Sequence, residues 1–420
     1  MKPLEGIRVV DFTVSVAGPL AGLVLAELGA EVIKVEEAAT RRALIGDMPL
    51  RPGAPDRPYN RNSHFNELNR EKLSVSINVG APKGRDLFLR LAGIADIVIE
   101  NFSPQVVGKL GIDYEQVRTV KPDIIYLSMP AFGKSGPYAD LRSYGPGIDA
   151  MSGLSHLTGY LGGQPLKPGN FYCDQNAGLH TAFAALSALY YRRQSGVGQY
   201  IEVPMLEGEL QVIGEAIMDV ALNGREQTRI GNRHPSIAPH GVYPCSGENQ
   251  WLTIVAKDGR QWQSLCRSMG REDLMHDKRF VDPIARYQHQ DELDSIIAAW
   301  TVHQEKRAVQ ELLQAAGVSA GAALAVDELF EDPQIRAREG FQFVDHPESG
   351  PFPHTRVAFR LSDTPAPVSR SGPLFAAAGD YVFHDLLKLS QAEIEALAQE
   401  GIIHLDRQDA IRRTDHGAAV

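Results

Sequence analysis

Ile7-Arg8-Val9-Val10-Asp11-Phe12 reads as a strand, a helical segment opens at Pro19 and runs through Leu28, Gly29 closes it, and Glu31-Val32-Ile33-Lys34-Val35-Glu36 reads as a second strand. This is a βαβ unit, whose strands pair in parallel because the helix carries the chain back along the sheet. The alternation continues with strands at 73–79, 95–100 and 123–128 and a helix over Pro82–Ala92, separated by Gly, Pro or Asp. An apolar-striped helix at 175–193, a turn through Gly196 and Gly198, a strand at 200–203 and a helix at 206–222 ending at Asn223-Gly224 complete the series. This order predicts an α/β fold with a doubly wound, Rossmann-like domain, its mostly parallel sheet covered by helices on both faces.

At 420 residues the chain exceeds what one core usually supports, and its pattern shifts after Arg225. A loop containing Pro and His leads to a strand over Trp251–Val255 and helices at 293–300 and 305–315, which predicts a second, smaller α/β domain. The expected division is a large domain at 1–205 completed by 335–420, a linker at 206–225 and a small domain at 226–334. Residues 350–379, rich in Pro and Ser, read as an extended return. Ser390 reads as the cap of a final helix over Gln391–Gln399 with Glu393 completing a capping box, and the tail after Asp406 is charged.

Charge and motifs narrow the chemistry. With 42 Lys and Arg against 52 Asp and Glu, the net charge of −10 offers no basic footprint for nucleic acid or anionic lipid, so local residues must hold any anion. Cys173, Cys245 and Cys266 form no paired spacing, which argues against a disulfide framework or metal cluster and for a reducing cytoplasm. The N-terminus lacks an apolar leader and the apolar stretch at 17–26 is too short to span a bilayer, so no membrane partner is expected. P-loop, zinc-protease and hydrolase-elbow spacings are absent. The turn Ser15-Val16-Ala17-Gly18-Pro19-Leu20-Ala21-Gly22 lacks the glycine triplet of a dinucleotide site, although Glu36 stands where a ribose-binding acid would. A helix start after a strand can still hold an anion or a polarised carbonyl through its free N–H groups.

The blocks Asp11-Phe12, Ala17-Gly18-Pro19 and Leu28-Gly29-Ala30-Glu31-Val32-Ile33-Lys34-Val35-Glu36 resemble the opening of the class III CoA-transferases, the CaiB/BaiF-like group that includes formyl-CoA transferase, carnitine CoA-transferase and α-methylacyl-CoA racemase. The resemblance continues through Leu68-Asn69-Arg70-Glu71-Lys72, Glu100-Asn101-Phe102-Ser103-Pro104, Leu110-Gly111, Phe132-Gly133-Lys134-Ser135-Gly136-Pro137-Tyr138 and Ser152-Gly153, and on to Gly196-x-Gly198-Gln199 and Gly401-Ile402-Ile403. It implies an interlocked dimer, a homodimer or a heteromer with a homologous subunit. It also implies reversible CoA transfer between an acyl-CoA and a free carboxylic acid, with coenzyme A as substrate and neither metal nor further cofactor.

By the same resemblance the catalytic aspartate is Asp174, about twenty residues after Ser152-Gly153 and ahead of the long helix. By local pattern alone an Asp there is a helix N-cap, and the two roles are compatible because helix-start N–H groups stabilise a carboxylate. The implied mechanism passes through an aspartyl anhydride and an aspartyl-CoA thioester. A thiolate of pKa about 8.5 is a good leaving group, so little acid assistance is needed. Asn69 and Lys72 match the CoA-contacting block, Asn101 and Phe102 the adenine-side turn, and Lys109 and Arg142 stand where basic residues contact CoA. Lys72 and Lys109 read equally well as solvated surface lysines. Glu37 departs from the basic residue of formyl-CoA transferase. Ser15 and Val16 form the mouth of the acyl pocket, where that enzyme has Gln at the second position. Tyr144 stands where the racemases have an acid/base His, which favours transfer over the alternative of 2-methylacyl-CoA racemisation. A non-catalytic subunit of a heteromeric transferase is the other alternative, which the presence of Asp174 disfavours. Cys173 reads as a buried neutral thiol, His180 as a core or interface histidine, and His234 and His240 lack ligand spacing. The pocket reads as suited to a medium, partly apolar acid such as a succinate derivative.

Overall fold

In the computed structural model the described residues are 2–37, 41 and 58–405, so the charged tail after Asp406 lies outside them. Cα packing separates two units, one of residues 1–154, 168–218 and 338–420 and a smaller one of residues 155–167 and 219–337. Two expectations are corrected. The single helix predicted within 206–225 is two, α4 (Met205–Val212) and α5 (Gly214–Asn223). The helix breaks at Ile213, whose ψ of 14° leaves the helical range ahead of Gly214, and the boundary between units falls inside α5. Residues 155–167 join the smaller unit, a long-range choice with no local signal.

The larger unit is built on seven strands in the order β12-β3-β2-β1-β4-β5-β6. They are β1 (Arg8–Phe12), β2 (Glu31–Glu36), β3 (Leu73–Ile77), β4 (Ile97–Glu100), β5 (Ile125–Ser128), β6 (Tyr200–Glu202) and β12 (Ile403–His404). The first six run parallel and β12 pairs antiparallel with β3. Successive side chains of a strand point to opposite faces, and both faces of this sheet are covered, so apolar residues are needed on both. Val10, Ile33, Val75, Val98 and Tyr126 enter one buried core while Val9, Val32, Ile97, Ile125 and Leu127 enter another. Each such side chain contributes about 1.5–3 kcal/mol on burial.

Helix α1 (Ala17–Glu27) starts two residues before Pro19, which occupies its third position, where the missing N–H is an orphan in any case. Helix α2 covers Gly145–Met151, and α3 runs over Tyr172–Ser195, three residues earlier than predicted. Its N-cap position is Phe171 at φ 44°, so Asp174 sits in the third helical position and is not the cap. Gly178 lets α3 cross α1 closely: a Cβ there would lie 2.7 Å from the Ala17 carbonyl oxygen and 3.0 Å from Leu20 Cβ. The crossing brings the first turn of α3 to the start of α1.

The smaller unit has an antiparallel sheet of β7 (His240–Pro244), β8 (Trp251–Val255) and β9 (Ser319–Ala323). Leu252, Ile254, Trp262, Phe280, Leu293 and Leu313 form its core. Within the predicted return, β11 (Gly350–Thr355) pairs with β10 (Phe341–His346). The Ser390 capping box is present as read. Among the described residues no helix is long and apolar enough to cross a membrane.

Candidate active site

The strand order reverses at β1, which has β2 on one side and β4 on the other. In open α/β sheets the loops at the carboxyl ends of the strands separate at such a point and leave a crevice. Here the loops after β1, β4 and β5 enclose a cleft of about 330 Å³. It brings together Ser15, Asn101, Phe102, Arg142, Tyr144 and Asp174.

Asp174 lies in its wall with 8% of its surface exposed. Burial raises its carboxyl above the ordinary aspartate range, with nearby Asp149 adding to the rise, while the Cys173 thiol and a backbone hydrogen bond at Ala17 oppose it. No cation among the described residues forms an ion pair with it. Cys173 Sγ is 3.6 Å from Asp174 Oδ2 and 3.5 Å from the Gly145 carbonyl oxygen. Burial and the adjacent Asp174 push that thiol far above its usual range, which keeps it neutral and poorly nucleophilic. Gly145, the first residue of α2, is placed so that a Cβ would sit 2.3 Å from Asp174 Oδ2. The sequence marks Gly145 only as a departure from the acidic residue that formyl-CoA transferase has after its Tyr; its close approach to Asp174 depends on a contact between two helices.

Ser15 turns the chain from β1 into α1 in the left-handed conformation, φ 62°. Asn101 clamps that turn with both ends of its amide, accepting from Val14 N–H at 2.8 Å and donating to the Val14 carbonyl oxygen at 2.8 Å. The Phe102 ring packs on Phe12, 4.9 Å between centroids, and also borders an adjoining pocket of about 170 Å³ with Lys34, Glu37 and Arg41. The cations there are engaged. Arg41 binds Glu36 at 2.7 Å and the Pro373 carbonyl at 2.6 Å, and Lys34 Nζ donates to the Thr13 carbonyl at 2.9 Å. Arg142 is exposed at the cleft with no carboxylate partner among the described residues, and Tyr144 is 81% exposed.

Four predicted contact residues do not line the cleft. Val16 is buried at the N-cap of α1. Lys109 is exposed on the helix Pro104–Leu110, as a solvated lysine would be. Lys72 is neither a surface lysine nor a free cation: its fully buried Nζ donates to Asp11 Oδ2 at 2.8 Å, the Pro19 carbonyl at 2.7 Å and Asn69 Oδ1 at 3.0 Å. Burial pulls Lys72 down to about 8, with Asp11 opposing the fall. Asn69 spends its amide N–H on the Phe65 carbonyl at 2.9 Å. Both brace the approach to α1, because three saturated donors leave nothing for a ligand. In the smaller unit the His234 and His240 rings lie 5.5 Å apart, tilted by 43°, and His240 Nδ1 lies 2.8 Å from the Asn232 carbonyl oxygen. Sequence reasoning also missed two buried acids beside Asp174: Asp149 on α2 and Glu209 on α4. Glu209 shares its helix with Glu207 and Gln211, so no local pattern marks it out as buried.

Residues 4–377 match the family profile described as CoA-transferase family III. The succinyl-CoA–D-citramalate CoA-transferase of Chloroflexus aurantiacus is 34% identical over 402 residues, covering 96% of this chain and 98% of that protein. The succinate–glutarate CoA-transferase of Agrobacterium fabrum is 35% identical, covering 88% of this chain and 92% of its own length. Among solved structures, a CAIB/BAIF family protein from Brucella suis superposes with a TM-score of 0.83 at 31% identity, covering 92% of this chain and 99% of the other.

Proposed function

The chain belongs to CoA-transferase family III and is a CoA-transferase, and from that premise we propose that it moves CoA reversibly between a short dicarboxylic acyl-CoA and a second carboxylic acid, with Asp174 as the nucleophile. The carrying observation is the Asp174 carboxyl itself: it lines the cleft, burial raises its basicity, and no cation among the described residues neutralises it. The Asp174 carboxylate attacks the thioester carbonyl and expels CoA thiolate, forming a mixed anhydride. The thiolate returns to the aspartyl carbonyl, releasing the first acid and leaving an enzyme–CoA thioester. The acceptor carboxylate attacks that thioester and expels CoA thiolate, and the thiolate then attacks the acceptor carbonyl of the second anhydride, freeing Asp174. Each intermediate keeps an activated carbonyl, so no nucleotide is consumed. The first-turn N–H groups of α3 favour the negative charge of the Asp174 ion, and the buried setting limits competing water.

Arg142 is the cation at the cleft available to an anionic group of CoA. The succinyl and succinate relatives support a short dicarboxylic acid as the acyl group. Tyr144 in place of a titrating His favours transfer over racemisation, since a phenol of pKa about 10 is a poor proton acceptor near neutrality. The reading includes a doubly wound larger unit and a homodimer. Leu179, Phe183 and Tyr190 repeat along one exposed stripe of α3, with Phe183 71% exposed, which supports an apolar contact with a second copy. It also includes a reducing cytoplasmic setting, in keeping with three free buried cysteines.

The test is to incubate the protein with a panel of acyl-CoAs beginning with succinyl-CoA, reduce with borohydride and read the peptide containing Asp174 by mass spectrometry. Reduction at Asp174 with one donor supports the mechanism and names the acyl group. No modification with any donor, while Asp174→Ala still binds CoA, transfers support to a non-catalytic partner subunit.

A further inference from the structure

We propose that Glu209 is a positioning residue for the transfer reaction, acting in its protonated, uncharged form through the carboxyl cluster it makes with Asp149 and Asp174. The inference rests on Asp174 being the nucleophile. Helices α2, α3 and α4 pack against one another and contribute Asp149, Asp174 and Glu209 respectively. Glu209 has no exposed surface. Among the described residues neither of its carboxyl oxygens has a hydrogen-bond partner and no cation pairs with it. A carboxylate ion so placed has lost its water and gained nothing in return, so the group keeps its proton instead.

The surrounding groups act in the same sense. From α2 it faces Asp149; from α3 it faces Asp174 and the Asn176 amide, with Cys173 beside Asp174 and His180 near the adjoining Gly208. Burial, then Asp149 and Asp174, push Glu209 up to about 7, while the Asn176 amide pulls the other way without a hydrogen bond of ordinary geometry. Complete burial also denies access to any cation from outside the unit.

Neutral Glu209 lets Asp174 carry the charge of the cluster and attack. Ionised, it sets a further negative charge beside the atom on which a tetrahedral oxyanion develops, and opposes the approach of an acceptor carboxylate. Acylation therefore slows as pH rises through the ionisation of Glu209. A merely structural glutamate has no such pH signature.

The experiment follows the rate of borohydride-trapped adduct at Asp174 with succinyl-CoA from pH 6 to pH 9, in the full-length protein and in Glu209→Gln. The wild type is expected to react at least tenfold more slowly at pH 9 than at pH 6, and Glu209→Gln, which keeps a neutral group of the same shape, to lose that decline. A decline equally present in Glu209→Gln belongs to another group, such as Lys72, and overturns the inference, as does a wild-type rate independent of pH. An adduct absent at every pH removes the Asp174 reading and this inference with it, whereas an adduct whose pH dependence ignores Glu209 removes the inference alone. If Glu209→Gln does not fold, the carboxylic-acid C=O infrared band of the wild type decides. Its loss in step with the rate supports the proposal, and a band unchanged from pH 6 to pH 8 overturns it.

Discussion

Lys72→Met removes a cation that stands just before β3 and ties Asp11 of β1 to Pro19 of α1. The lysine is fully buried, and three acceptors depend on it: Asp11 Oδ2 at 2.8 Å, the Pro19 carbonyl at 2.7 Å and Asn69 Oδ1 at 3.0 Å. Asp11 Oδ1 keeps the Thr13 N–H at 3.1 Å and the Thr13 hydroxyl, with Lys34 Nζ 3.7 Å away, but Oδ2 is left without a donor. Breaking a buried pair by removing one partner costs about 3–5 kcal/mol, chiefly from the stranded charge. A unit of roughly 290 residues has an unfolding entropy of about 0.6 kcal/mol/K, so the expected fall in Tm is about 5–8 °C. Calorimetry on Lys72→Met and on the double variant Asp11→Leu with Lys72→Met checks this. The double variant should recover at least half of the loss, because burial already pulls Lys72 down to about 8 and the pair is held against its own desolvation. A single-variant loss below about 1 kcal/mol, or a double variant no better than the single, would refute the assignment of Lys72 to a charged structural pair.

Asp174→Asn is expected to lower transfer by on the order of 10³-fold or more in a CoA-exchange assay while circular dichroism stays native. Gly145→Ala places a methyl 2.3 Å from Asp174 Oδ2, so turnover should fall about 100-fold as the nucleophile is displaced, with CoA binding by calorimetry little changed. Melting as a function of pH tests the carboxyl cluster. The folded-state pKa of Glu209 is raised from 4.5 to about 7, so its stabilising contribution is full below about 4.5 and is lost as pH rises through about 7. The loss is at most about 3 kcal/mol and should be smaller in Glu209→Gln. Ser390→Ala removes the capping box of the final helix and should cost about 1 kcal/mol in urea unfolding, with transfer activity retained.

Much of the architecture was legible in local pattern. The β-branched strands at 8–12 and 31–36, the helix Pro82–Ala92, the strand Trp251–Val255 and the Ser390 capping box depend on neighbours a few residues away, and they form where the pattern places them. The break at Ile213 and the early starts of α1 and α3 were not legible, because helix ends answer to packing as well as to propensity.

At the site, the sequence by itself determined the residue types: an aspartate ahead of a long helix, polar turns after β1 and β4, and an arginine and a tyrosine ahead of α2. Tertiary structure decided which of these share a cleft and which are spent elsewhere. Lys72 reads as a ligand or a surface residue until a contact 61 positions away ties it to Asp11. Asp149, Asp174 and Glu209 read as unrelated acids until three helices converge and leave Glu209 without exposed surface and, among the described residues, without a hydrogen-bond partner. The reason is the range of the forces involved. Strand and helix propensities act between near neighbours, whereas the ionisation of a carboxyl or an amine depends on desolvation and on charges a few ångströms away, which only the folded chain brings together.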